Sequence, residues 1–108
     1  MQRTESIPKP DTPLNWSVTK YLVEYNVLFN RLRMLWPIAI ESLSAPDRDK
    51  VMKNIDRCMR YYRSAIVFYE DQGPTRIVME YFEFGYKTLA WIVKFLDEYI
   101  YAKEAIHG

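Results

Sequence analysis

The stretch from Thr75 to Ile106 constrains the rest of the chain more than any other. Val78, Phe82, Gly85, Leu89, Ile92, Leu96 and Tyr99 follow one another in alternating steps of four and three. That spacing keeps one face of an α-helix against a partner. A second row, Ile77, Tyr81, Phe84, Trp91 and Phe95, lies beside the first, so the apolar face is wide enough for two neighbours rather than a two-stranded seam. Glu80, Glu83, Lys87, Lys94, Asp97, Glu98 and Glu104 are left for water, and Glu83 to Lys87 has the favourable i,i+4 order. A helix over the whole span is about 48 Å long at ~1.5 Å per residue.

The residues before it read the same way. Leu14, Val18, Tyr21, Tyr25, Leu28, Leu32 and Leu35 repeat at four and three, widened by Leu22, Phe29 and Trp36. Thr12 before Pro13 is a candidate cap, with Asn15 and Ser17 as alternatives, and residues 1–11, polar with two prolines, read as a flexible tail. Residues 12–108 then form one domain. Pro37 must kink or end the first helix. It lacks the N–H that would bond the Arg33 carbonyl, and its ring collides with that oxygen. Residues 38–43 then supply a further turn or two, or a short fourth helix.

Ser44-Ala-Pro-Asp47 is a boundary: serine caps, proline fits the first turn, and Asp47 and Asp49 favour the positive end of the next helix. The second long helix runs from about Pro46 to Asp71. Its stripe is Val51, Ile55, Cys58, Tyr62, Ala65 and Tyr69, flanked by Met52, Met59 and Ile66. Gln72-Gly73-Pro74 stops it, because glycine suits the left-handed residue after a helix and proline cannot continue one. So short a link sends the third helix back antiparallel. The expected fold is all-α, an antiparallel up-and-down bundle of three long helices.

A compact domain of this length has a radius of gyration near ~13 Å and a diameter of roughly 34 Å. Helices of roughly 37 and 48 Å exceed it. Either the bundle is elongated or part of its apolar surface meets another chain. A homo-oligomer is expected, a dimer first of all, because two-fold association is the commonest solution. Gly85, Trp91, Phe95 and Tyr99 are the candidate interface. Gly85 marks a close helix crossing at that interface or, equally, a core glycine beside Phe84 and Tyr86.

Chemistry is sparsely represented. His107 lies at the C-terminal end and Cys58 on an apolar row, so neither suggests a nucleophile–histidine arrangement. Arg57 and Arg60 flank Cys58 in sequence and could lower its thiol pKa, but a buried structural cysteine is the better reading. Glu80 and Glu83 lack the Glu-x-x-His partners of a di-iron bundle and read as a solvated pair. No cofactor, metal site or catalytic residue is expected, and the chain reads as non-enzymatic. A single cysteine, no apolar leader and no run of 18 apolar residues point to a cytoplasmic protein without a membrane span.

The strongest candidate surface is cationic. Lys50, Lys53, Arg57 and Arg60 lie along one face of the second helix with Tyr61 close by, and Arg63 follows. Such groups neutralise phosphate and stack on bases, so Lys53, Arg57, Arg60 and Arg63 form a candidate surface for RNA or single-stranded DNA. Against this, Asp49 can pair with Lys53 and Asp56 with Arg60. Residues 46–71 hold six basic and five acidic groups, and the whole chain has a net charge of only +1.

Tyr62-Arg-Ser-Ala65-Ile-Val-Phe68-Tyr-Glu-Asp-Gln-Gly73, followed by Tyr81-Phe-Glu-Phe84-Gly-Tyr86-Lys-Thr-Leu89-Ala-Trp91, resembles the helical hairpin of HEPN-type proteins. The run Phe82-Glu-Phe84-x-Tyr86-x-x-x-Ala90-Trp91 is similar to the helical subunits that partner minimal nucleotidyltransferases. The likeness covers roughly residues 55–100. It implies an antiparallel bundle that dimerises within a toxin–antitoxin or nucleic-acid-processing complex. The Arg-x(4–6)-His motif of the HEPN ribonucleases is not met, since Arg76 is the nearest arginine before His107, so the resemblance implies a non-catalytic relative.

Overall fold

A computed structural model describes residues 16–107, with side chains to residue 105. The proposed tail over residues 1–11, a start at Thr12–Pro13 and the His107 side chain lie outside the described residues. Three helices follow one another: α1 (Val18–Ile40), α2 (Ala45–Gln72) and α3 (Arg76–His107). No strand occurs among the described residues.

Each start is fixed by a hydroxyl that accepts from an otherwise orphaned backbone N–H. Ser17 Oγ accepts from Lys20 N at 3.2 Å, Ser44 Oγ from Asp47 N at 3.3 Å, and Thr75 Oγ1 from Val78 N at 3.3 Å. At the end of α2, Gly73 adopts φ 79° and its N–H returns to the Tyr69 carbonyl at 2.8 Å. A side chain there would be strained, which is why glycine punctuates this turn.

Of the outcomes open beyond Pro37, the further turn is the one found. α1 continues through Pro37 to Ile40, and its next residues form the turn to α2 rather than a fourth helix. Proline removes a single bond, to the Arg33 carbonyl, and only the last turn lies beyond it.

α3 is the middle of the molecule, with α1 and α2 packed on it side by side. α1 and α3 run the same way and α2 runs against both. The core follows the expected stripe of α3, with Val78, Phe82, Leu89, Ile92 and Leu96 fully buried. Tyr21, Tyr25, Leu32, Leu35 and Ala39 face it from α1, and Val51, Cys58 and Ala65 from α2. Rings close the gap between α1 and α2, where Tyr25 and Tyr62 centroids are 4.7 Å apart and Phe29 and Tyr62 5.7 Å. The body measures 54 × 27 × 23 Å with a radius of gyration of 16.0 Å. It is an elongated bundle, and elongation alone accommodates the long helices.

Candidate functional surfaces

One buried junction organises the centre. Tyr25 of α1 donates its hydroxyl to the Phe82 carbonyl of α3 at 2.6 Å. The bond requires the hydroxyl to reach the α3 backbone, and Gly85 opens the way. A Cβ built on Gly85 would overlap the Tyr25 hydroxyl and lie 3.1 Å from Tyr61 Cβ. Gly85 is buried between α1 and α2 of its own chain. The close crossing is thus real but internal, and Gly85 is withdrawn from the candidate interface because no second subunit can reach it.

The other interface candidates stay near the surface. Trp91 is 39% exposed, stacks on half-buried Phe95 at 5.3 Å and carries Lys50 Nζ over its ring at 5.3 Å. Tyr99 is half-buried and donates to Ser42 Oγ at 3.0 Å. Ile77, Phe84 and Trp91, a heptad apart, form the outer edge of the second apolar row, and all three are exposed, Phe84 and Trp91 while also touching the Tyr61 and Phe95 rings. Two flanking helices cover the first row of α3 but not the full width of the second.

Glu83 corrects an expectation. Its spacing along α3 predicts a solvated side chain, but it is 4% exposed. Its carboxylate pairs with Lys87 Nζ at 3.6 Å and lies close enough to Tyr21 to help raise that phenol's pKa, after the larger effect of burial. The periodicity of α3 cannot report that α1 lies over this side of it.

Cys58 is buried, and desolvation pushes its thiol pKa up to about 12. The neighbouring arginines do not activate it: Arg57 and Arg60 point outward while the sulfur faces the core. Among the described residues no group of three or more His, Cys, Asp or Glu side chains could hold a metal ion. No described helix is long and apolar enough to cross a membrane.

The cationic face is only partly assembled. Asp49, Met52, Lys53, Asp56, Arg57 and Arg60 line one shallow groove along α2. Lys53 is paired with Asp49 at 3.1 Å and Arg60 with Asp56 at 3.4 Å, as the i,i+4 spacing implied. Arg57, Arg60, Tyr61, Ser64 and Tyr81 line a second groove of about 300 Å³ between α2 and α3. Phe84 borders it through its contact with the Tyr61 ring at 5.6 Å. Arg57 makes no ion pair among the described residues and belongs to both grooves. Arg63 lines neither. Six residues beyond Arg57, it sits about 120° round the helix, on a different face.

A further surface was missed from sequence. Val23, Val27, Met34 and Ile38 are 55–64% exposed along the outside of α1. Spaced four, seven and four apart, with Asn30 in the gap, they form one stripe roughly opposite the buried one. The signal was present, because α1 is apolar on more of its circumference than one buried face needs. Comparison with protein families, with curated proteins and with solved structures returns no match.

Proposed function

We propose that this protein is a non-enzymatic helical subunit that self-associates and scaffolds or regulates a complex. The outward apolar stripe of α1 carries the reading. The core is already filled by Tyr21, Tyr25, Phe82, Leu89, Ile92 and Leu96. Four further large apolar side chains nonetheless line one face of the same helix in water, where burial against a partner would be favourable by ~25 cal/mol per Å². Trp91 and Phe84 add apolar surface on α3. A dimeric, non-catalytic assembly is also what the HEPN-type resemblance implies. Size-exclusion chromatography with light scattering tests the reading. A mass of about twice 13.0 kDa is expected at micromolar concentration, and a monomer there counts against it.

A second reading is favoured by the groove between α2 and α3, where Arg57 and Arg60 stand beside Tyr61, Tyr81 and Phe84. Cations next to aromatic faces suit single-stranded RNA or DNA. Arg57→Glu with Arg60→Glu should then weaken binding of fluorescent single strands by at least tenfold and flatten its salt dependence. Unchanged affinity discards this reading.

A further inference from the structure

The outward face of α1 has a pattern that identifies its occupant. Read along the helix, it runs Lys20, Val23, Val27, Asn30, Met34, Ile38 and Glu41. The ends carry opposite charges, one apolar pair lies on each side of the middle, and the middle is a single amide. Turned end for end, this face is complementary to itself.

We propose that α1 packs antiparallel against α1 of a second copy, about a two-fold axis between Asn30 and Arg31. This rests on the proposed self-association and specifies the surface that performs it. In this register Val23 meets the partner's Ile38, Val27 meets the partner's Met34, and Lys20 meets the partner's Glu41, each twice by symmetry. A parallel pairing would set Lys20 against the partner's Lys20 and Glu41 against the partner's Glu41, so charge selects the antiparallel arrangement. The helix dipoles agree with that choice.

Asn30 lies beside the axis. Its side-chain oxygen accepts from Arg33 Nη1 at 2.9 Å, leaving the amide N–H donors for the partner's Asn30. One polar residue amid an apolar seam fixes register, because any slip would strand it against Val or Met. Arg31, also near the axis, is held by Asp97 through both Nε and Nη2, so two bare like charges do not face each other there. Lys20 lies over Trp16 at 5.2 Å and is only loosely paired with Glu24 at 3.9 Å, which leaves it able to reach a second carboxylate.

The seam is one helix long, about 35 Å at ~1.5 Å per residue, which places it at the low end of specific interfaces. Dimerisation is therefore concentration-dependent, and light scattering on the full chain from about 5 to 200 µM should follow it. Val27→Glu and Met34→Glu alter exposed positions, so each variant keeps its helical circular dichroism, and each should weaken the dimer at least tenfold.

Register is tested by mild oxidation. Val23→Cys/Ile38→Cys should form a disulfide-linked dimer. Val23→Cys alone should not, because its two copies lie about 22 Å apart, beyond the ~7 Å that a disulfide spans. Buried Cys58 does not compete. Cross-linking by Val23→Cys alone means a parallel seam and overturns the inference. A wild-type dimer indifferent to Val27→Glu and Met34→Glu overturns it while leaving self-association standing. A wild-type monomer at 200 µM, the top of that range, overturns both.

Discussion

Replacing Gly85 with alanine is the sharpest test of the bundle's centre. In an ordinary exposed helix the change stabilises by about 1 kcal/mol, since alanine loses less backbone freedom. Here the new methyl would occupy the place of the Tyr25 hydroxyl, and 3.1 Å separates it from Tyr61 Cβ. Tyr25 cannot swing aside. It is 1% exposed, with ring centroids of Tyr62 at 4.7 Å, Phe29 at 5.8 Å, Phe82 at 6.1 Å and Tyr86 at 6.2 Å around it. Relieving the overlap means breaking the bond to the Phe82 carbonyl, about 1–3 kcal/mol for a buried partner left unsatisfied. Overpacking adds about 1–3 kcal/mol. Less the propensity gain, the net loss is about 1–5 kcal/mol, with a midpoint of about 3 kcal/mol. At that midpoint and roughly 4–8 °C per kcal/mol for a domain of this size, the melting temperature should fall by about 10–25 °C, read by circular dichroism and urea titration. Tyr25→Phe removes the clashing oxygen, so Gly85→Ala should be less damaging in that background, with a coupling of about 1–2 kcal/mol in the double-mutant cycle. A neutral or stabilising Gly85→Ala, or strict additivity, would refute this account of the crossing.

Two other perturbations probe different parts of the fold. Pro37→Ala restores an N–H to an exposed position in the last turn of α1 and should stabilise by about 1–2 kcal/mol in urea; a destabilised variant would mean that the backbone geometry proline imposes is needed to seat buried Ala39 and Leu43. Cys58 gives a pH signature: its thiol is uncharged when protonated, and burial raises the folded pKa from an unfolded ~8.5 to about 12. Stability is therefore unaffected below about pH 8 and falls through the window up to about 12, with about 2 kcal/mol lost by pH 10. Cys58→Ala should remove most of that decline up to about pH 10; Tyr21 and Tyr25, whose phenols are also raised by burial, contribute above it. An equally steep decline in the alanine variant would show that Cys58 is not the group responsible. The native thiol should also resist aromatic disulfide reagents until the chain unfolds.

The parts of this molecule legible in its sequence are those decided within one helix. Ser44 with Pro46, and Gly73 with Pro74, place two boundaries to within a residue or so, because capping and turn chemistry involve near neighbours only. The central role of α3 follows from the width of its apolar face. What was not legible depends on the angle at which a second helix arrives. Glu83 and Lys87 form a good i,i+4 pair whether or not α1 lies over them, so the pattern gave no warning that the carboxylate is buried. Gly85 admitted two readings because its own helix does not show what fills the space; Tyr25, sixty residues earlier, does.

The same limit bears on where partners bind. Apolar residues on α3 are the natural interface candidates from sequence, because a helix of about 48 Å exceeds the roughly 34 Å diameter of a compact domain. Once α1 and α2 pack on either side of it, its richest row is consumed internally and Gly85 with it. The surplus passes to the flanking helices, which each touch one principal neighbour and have an entire outer face free. On α2 that face is mostly charged, with two exposed apolar side chains, Met52 and Val67, set well apart among pairs such as Asp49–Lys53 and Asp56–Arg60 that are satisfied in water. On α1 it holds Val23, Val27, Met34 and Ile38, which are not. The asymmetry between two helices in equivalent positions, rather than total hydrophobicity, singles out α1 as the face that a partner should cover.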